Sequence, residues 1–154
     1  MMKKFQWRNL DNPRIFYDES FISQLPPNTR DKFYRLASAY LASNNTAKAK
    51  EVMDYCFKVM PDKSIPYDYY TPQFIEPLNK VGEKQKAIEI MNKLEQRTTK
   101  ALAYYSEQGS LFDREMQTNF ITLQQLIFAA RALGLTDRAG KMEQTFMRYY
   151  GGNQ

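Results

Sequence analysis

Histidine is absent from this 154-residue chain, and cysteine occurs once, at Cys56. The first absence removes imidazole metal ligands, Ser-His and Cys-His nucleophile activation, and the usual proton shuttle near neutral pH. The second excludes an internal disulfide and a cysteine metal cluster. Cys56 stands among Met53, Phe57 and Met60, the setting of a small buried apolar residue. No apolar run approaches the roughly 20 residues that a bilayer span needs. Behind Lys3 and Lys4 come Gln6, Trp7, Arg8 and Asn9, which leave no apolar core for a signal peptide. The chain is therefore expected to be soluble, as a fragment of a larger membrane protein would also be. With 22 Lys+Arg against 17 Asp+Glu the net charge is +5. These charges are scattered, the pattern of solvated helix surface and not of a nucleic-acid stripe.

What is present is helical periodicity. Phe33, Leu36, Ala37 and Tyr40 fall on one face, with Asn28 or Thr29 as the expected cap. Ala49, Met53, Cys56 and Met60 mark a second helix that stops at Pro61. Phe74, Ile75, Leu78 and Val81 mark a third, with Thr71 as its cap and a kink expected at Pro77. Ala87, Met91, Leu94, Thr98, Ala101 and Tyr105 define a long fourth helix. Met116, Phe120, Leu123, Ile127 and Ala130 define the fifth, and Ala139, Met142, Phe146 and Tyr149 the sixth. The spacing of Met53, Met60, Met91, Met116 and Met142 is that of core filler, not of a metal site. No stretch reads as a strand.

Three turns echo one another: "NNTAKA" at 44–49, "GEKQKA" at 82–87 and "GLTDRA" at 134–139. Each reads as a hairpin joint: a turn residue, a basic residue facing water, and an Ala that lets two helices cross closely. The mixture of large and small residues resembles the tetratricopeptide repeat. The interval from Ala49 to Ala87 is 38 residues and that from Ala87 to Ala139 is 52, so the period is broken. The expected fold is all-α, a tetratricopeptide-like stack of three helical hairpins at about 29–61, 67–106 and 110–150. An irregular N-terminal arm over 1–27 would pack on the first hairpin through Trp7, and 151–154 would form a frayed tail.

The stretches "KFQWRNLDNPRIFYDES", "FYRLASAYL", "KAKEVMDYCFKVMP", "IPYDYYTPQFIEPLNKVGEKQKAIEIMNKL" and "LAYYS" are similar to a multi-pass membrane family of Bacteroidetes related to protein O-mannosyltransferases. The resemblance is to the soluble helical-repeat tail that follows that family's transmembrane catalytic region. It implies no catalytic residue in this chain. It implies instead a non-catalytic tail at the periplasmic face of the inner membrane, docking a protein or peptide partner, an acceptor, or its own membrane region. A free-standing chain would be cytoplasmic. No cofactor or metal is expected.

A stack of hairpins offers a concave surface lined by the first helix of each pair. Candidate binding residues there are Asp31, Tyr34 and Ser38 from the first hairpin. Tyr69, Tyr70, Glu76 and Asn79 come from the second, and Gln124, Phe128 and Arg131 from the third. Tyr34, Tyr69, Tyr70 and Phe128 are the expected hot spots. Singly, each is also ordinary helix surface. In "PYDYY" the tyrosines either form a binding surface or plug the gap between hairpins while Asp68 caps the next helix. Two other readings are a nucleic-acid-binding repeat, which the net charge suggests, and a small hydrolase using Asp113 with Glu115 or Glu76 with Glu83. The hydrolase lacks an apolar pocket in the sequence to separate the carboxylate pKa values.

Overall fold

The computed structural model describes Trp7 and residues 9–150; the tail expected at 151–154 lies outside the described residues. Six helices carry the fold: α1 (Glu19–Ala42), α2 (Thr46–Val59), α3 (Ile75–Lys80), α4 (Lys84–Ser106), α5 (Asp113–Ala132) and α6 (Thr136–Tyr150). Short 3-10 turns at Thr71–Phe74 and Gly109–Phe112 lead into α3 and α5. Among the described residues there is no strand, and no helix is long and apolar enough to cross a membrane. Helices α1/α2, α3/α4 and α5/α6 pair as hairpins, and α4 also packs along α5. The turn at Thr71–Phe74 touches both α1 and α5. One core runs through all three pairs, from Phe33 and Phe57 through Phe74, Leu78 and Met91 to Leu123 and Met142.

The three echoed turns are the same backbone device. Asn44, Gly82 and Gly134 sit in the left-handed region, with φ of 57°, 86° and 75°. Only glycine, or a short amide side chain, enters that region cheaply. One residue later the N–H of Asn45, Glu83 or Leu135 donates back to the carbonyl of Tyr40, Leu78 or Ala130, each at 2.8 Å. With the flanking bonds from Asn44 to Leu41, Gly82 to Asn79 and Gly134 to Arg131, this makes three Schellman motifs. The Ala that follows each turn is buried: Ala49, Ala87 and Ala139.

The basic residue of the echo was expected to face water, and in two of three copies it does not. Lys86 donates to Asp54 on α2 at 2.8 Å and lies over the Phe57 ring. Arg138 donates to Glu95 on α4 through Nε at 2.8 Å. Each reaches back to the second helix of the preceding hairpin and clasps it. Lys48, in the first hairpin, lies over Tyr40 of its own pair instead.

Two helix starts differ from the sequence expectation. Helix α1 begins at Glu19, capped by Asp18, whose carboxylate accepts from the Phe21 N–H at 3.1 Å. The arm is therefore shorter than 1–27, and Asn28 and Thr29 lie inside the helix. Pro26 and Pro27 would normally end a helix, since each lacks an N–H and crowds the carbonyl four residues back. Both rings are buried, and that packing overrides the local preference. Pro77 falls in the first turn of α3, where its missing N–H has no intrahelical partner to lose. The expected kink is replaced by a handover from 3-10 turn to α-helix. Thr71 does not cap; it is buried, and its hydroxyl accepts from the Asp68 N–H.

Candidate functional site

Tyr34 from α1, Glu76 from α3 and Phe128 from α5 converge on one cavity of about 210 Å³. Pro72, Gln73, Gln125 and Ala129 complete its wall. The fold brings these together because the Thr71–Phe74 turn sits against both α1 and α5. Phe74 is fully buried and meets the Tyr34 ring edge-on at 5.8 Å, which fixes one wall. Phe128 is 60% exposed, a large apolar side chain held in water at the rim. Glu76 is tied to Lys80 one helical turn on, at 2.7 Å. The Oε1 atom of Gln125 is buried and accepts no hydrogen bond.

The remaining candidates do not join this cavity. Asp31 pairs with Arg35 along α1 at 2.8 Å. Ser38 and Asn79 are half-buried outside it. Arg131 turns toward α6 and pairs with Glu143. Gln124 lines a separate groove between α5 and α6. Tyr69 and Tyr70 pack on one another with ring centroids 4.5 Å apart. Tyr69 also lines a second cavity of about 350 Å³ with Tyr67, Asp68, Arg114 and Asn119. Of the sequence candidates, three of ten meet in one place; Gln125 and Gln73 were missed. Gln125 precedes Phe128 and Ala129 at i+3 and i+4, and that spacing is the signal that marks its face.

One helical turn before Tyr34 on α1 lies a hub that the sequence did not mark. Arg30 is fully buried. Its Nη1 donates to the Pro66 carbonyl at 2.8 Å and to Asp68 Oδ2 at 2.6 Å. Its Nη2 donates to the Ile65 carbonyl at 2.8 Å, and its guanidinium lies 5.6 Å from the centre of the Tyr67 ring. Asp68 turns its other oxygen to the Tyr70 N–H at 2.9 Å. The connection between the first two hairpins is thus held by an arginine of α1. Tyr67 packs edge-on against Phe57, so it fills the gap between hairpins, as one reading of "PYDYY" expects. Burial pushes the Tyr67 hydroxyl up to about 12, and the Cys56 thiol likewise to about 12. Neither ionises near neutrality, and Cys56 is no nucleophile there.

Asp62 secures the outer side of the same connection. It takes both guanidinium nitrogens of Arg97, at 2.5 and 2.7 Å, and the Tyr67 N–H at 2.9 Å. Burial pushes its pKa upward, but Arg97, the Tyr67 N–H and Lys93 outweigh this and hold it below the ordinary aspartate value of 3.8. The stabilisation is then complete above the unfolded-state pKa and disappears as pH falls through the lower folded-state value. Denaturant unfolding of Asp62→Asn beside the native chain is expected to show a constant deficit from neutral to mildly acid pH. That deficit should shrink only in strong acid; one that grows as pH falls would contradict the pairing.

Lys50, Lys86, Lys93, Arg97, Arg131 and Arg138 all stand in ion pairs. Glu76 and Glu83 pair with different lysines, and Asp113 and Glu115 line different cavities. Among the described residues no group of three potential metal ligands occurs. Compared with protein-family models, with curated proteins and with solved structures, the chain matches none.

Proposed function

We propose that the chain is a non-catalytic, tetratricopeptide-like interaction domain that holds a peptide segment of a partner protein on its concave face. The observation that carries the reading is the cavity shared by Tyr34, Glu76 and Phe128. Aromatic walls supply apolar area, while the amide side chains of Gln73 and Gln125 in the same lining suit the polar groups of a peptide backbone. Panning a phage-displayed random-peptide library on the full chain tests this. Retained peptides are expected to lose at least about tenfold in affinity against Phe128→Ala or Tyr34→Ala, a loss of about 1.4 kcal/mol. Tyr104→Ala, an exposed aromatic outside this cavity, should leave binding unchanged. Failure to enrich any peptide, or equal affinity for Phe128→Ala, would overturn the reading.

The resemblance to the O-mannosyltransferase-related membrane family supports a native setting as the extracytoplasmic tail of a larger membrane protein. In that setting the partner is an acceptor protein or the membrane region itself. Protease treatment of spheroplasts should then remove the domain while cytoplasmic markers survive. Protection of the domain together with those markers would place it in the cytoplasm.

A further inference from the structure

Lysines that look scattered along the chain are gathered by the fold at one place. A groove of about 450 Å³ between α2 and α4 is lined by Lys58, Lys63, Lys86 and Lys93, against two carboxylates, Asp54 and Asp62. Lys86 and Lys93 stand seven residues apart on α4, two turns along one face. Lys58 lies in the last turn of α2, and Lys63 follows in the connection to the second hairpin. Both carboxylates already hold two cations each. Asp54 takes Lys50 and Lys86, while Asp62 takes Arg97 closely and Lys93 at 3.6 Å. Lys58 and Lys63 pair with no group among the described residues. The helix dipole favours a cation at the end of α2, which accounts for Lys58. Lys63 lies outside any helix and has no such reason.

The charge left over suits a multivalent anion. Among the groups that line the groove and those paired to them, six cations stand with three carboxylates, an excess of three positive charges. A terminal phosphate carries about −1.5 to −2 charges at pH 7, so two linked phosphates balance that excess and a single carboxylate does not. Lysine ammonium groups act on phosphate as point charges and need no planar fork to match. A nucleic acid would also need free ring faces for its bases, and both rings here are taken. Lys86 lies over Phe57 at 5.0 Å and Lys93 over Tyr67 at 5.7 Å. A membrane surface would need apolar side chains at the rim, and among the described residues no large exposed hydrophobic lines this groove.

We infer that this groove is a binding site for a soluble ligand carrying two or more linked phosphate groups, held by Lys58, Lys63, Lys86 and Lys93. Asp54 and Asp62 are neutralised by their own ion pairs, and through them they hold Lys86 and Lys93 in place. No residue lines both this groove and the concave cavity, so the two proposals fail independently.

Isothermal titration of inorganic tripolyphosphate into the full chain at low ionic strength tests it. One molecule per chain is expected to bind, more weakly as salt rises. Lys58→Gln with Lys63→Gln, both at exposed positions, should weaken binding by at least about tenfold. Circular dichroism should show that double variant folded. Lys32→Gln with Lys141→Gln removes the same charge from exposed positions on α1 and α6 and should leave the affinity unchanged. Absence of binding would overturn the inference. So would equal losses in the two double variants, the mark of net charge and not of a site. Orthophosphate binding as tightly as tripolyphosphate would remove the need for linked phosphates. Tighter binding, at equal phosphate, to single-stranded RNA or to phosphatidylglycerol vesicles would contradict a small soluble ligand.

Discussion

Arg30→Ala is expected to destabilise the chain by about 3–5 kcal/mol, the cost typical of removing one partner from a buried ion pair. For a chain of this size that corresponds to a fall in Tm of roughly 6–20 °C. The reason is the number of acceptors left behind. Asp68 and the carbonyls of Ile65 and Pro66 all lose their donor at once, and Ile65 is fully buried. Replacing both charges, as Arg30→Met with Asp68→Asn, should recover part of the loss, because no unpaired charge remains. Thermal and denaturant unfolding of the two single variants and the double variant give the coupling directly. Purely additive losses would mean that the two side chains do not work as a pair.

Phe74→Ala is expected to cost a similar amount, about 3–5 kcal/mol, for a different reason. The ring is fully buried between Tyr34 and Phe57, with centroids 5.8 and 5.2 Å away. It is the side chain through which the second hairpin fills the groove of the first. Its loss leaves a cavity bordered by three elements that cannot all close on it. Native-state hydrogen exchange should show α1 and α2 losing protection more than α5 and α6. A uniform loss across the helices would mean that the hairpins do not behave as separable units. Because Phe74 also sets the wall of the concave cavity, the variant should weaken peptide binding as well.

The hairpin architecture was legible because its joints are dictated by backbone chemistry. A left-handed residue between two helices needs Gly or Asn, and the close crossing that follows needs Ala; Asn44, Gly82, Gly134 and their alanines carry both marks. Trp7 packing on Phe33 was legible for a similar reason, as a lone large aromatic outside any periodic helix. The start of α1 was not. Pro26 and Pro27 break helices locally, and only tertiary packing of their rings explains why the helix runs through them. Arg30 left a readable trace: it lies three residues before Phe33 and seven before Ala37, on the apolar stripe. An arginine there asks for buried acceptors, but nothing local says that they come from residues 65–68. The same limit applies to Lys86 and Arg138, whose partners lie on the preceding hairpin.

The concave site was half legible for a geometric reason. Adjacent residues on a helix point about 100° apart. Choosing Gln124 in place of Gln125 therefore moved the expected surface from the cavity to the groove between α5 and α6. Arg131 shifted for the same reason and faces Glu143. Tyr34, Glu76 and Phe128 were found because aromatic and acidic residues on the first helices, off the apolar seam, are few.

The central claim is that the concave cavity, and no other surface, holds a peptide. Amide and side-chain chemical-shift mapping of a library-selected peptide on the labelled full chain addresses it most directly. The expected result is a compact set of perturbations at Tyr34, Gln73, Glu76, Gln125 and Phe128, with the Gln125 side-chain amide among the largest. Perturbations gathered around Lys58 and Lys93 on α2 and α4, with the cavity residues unmoved, would contradict it.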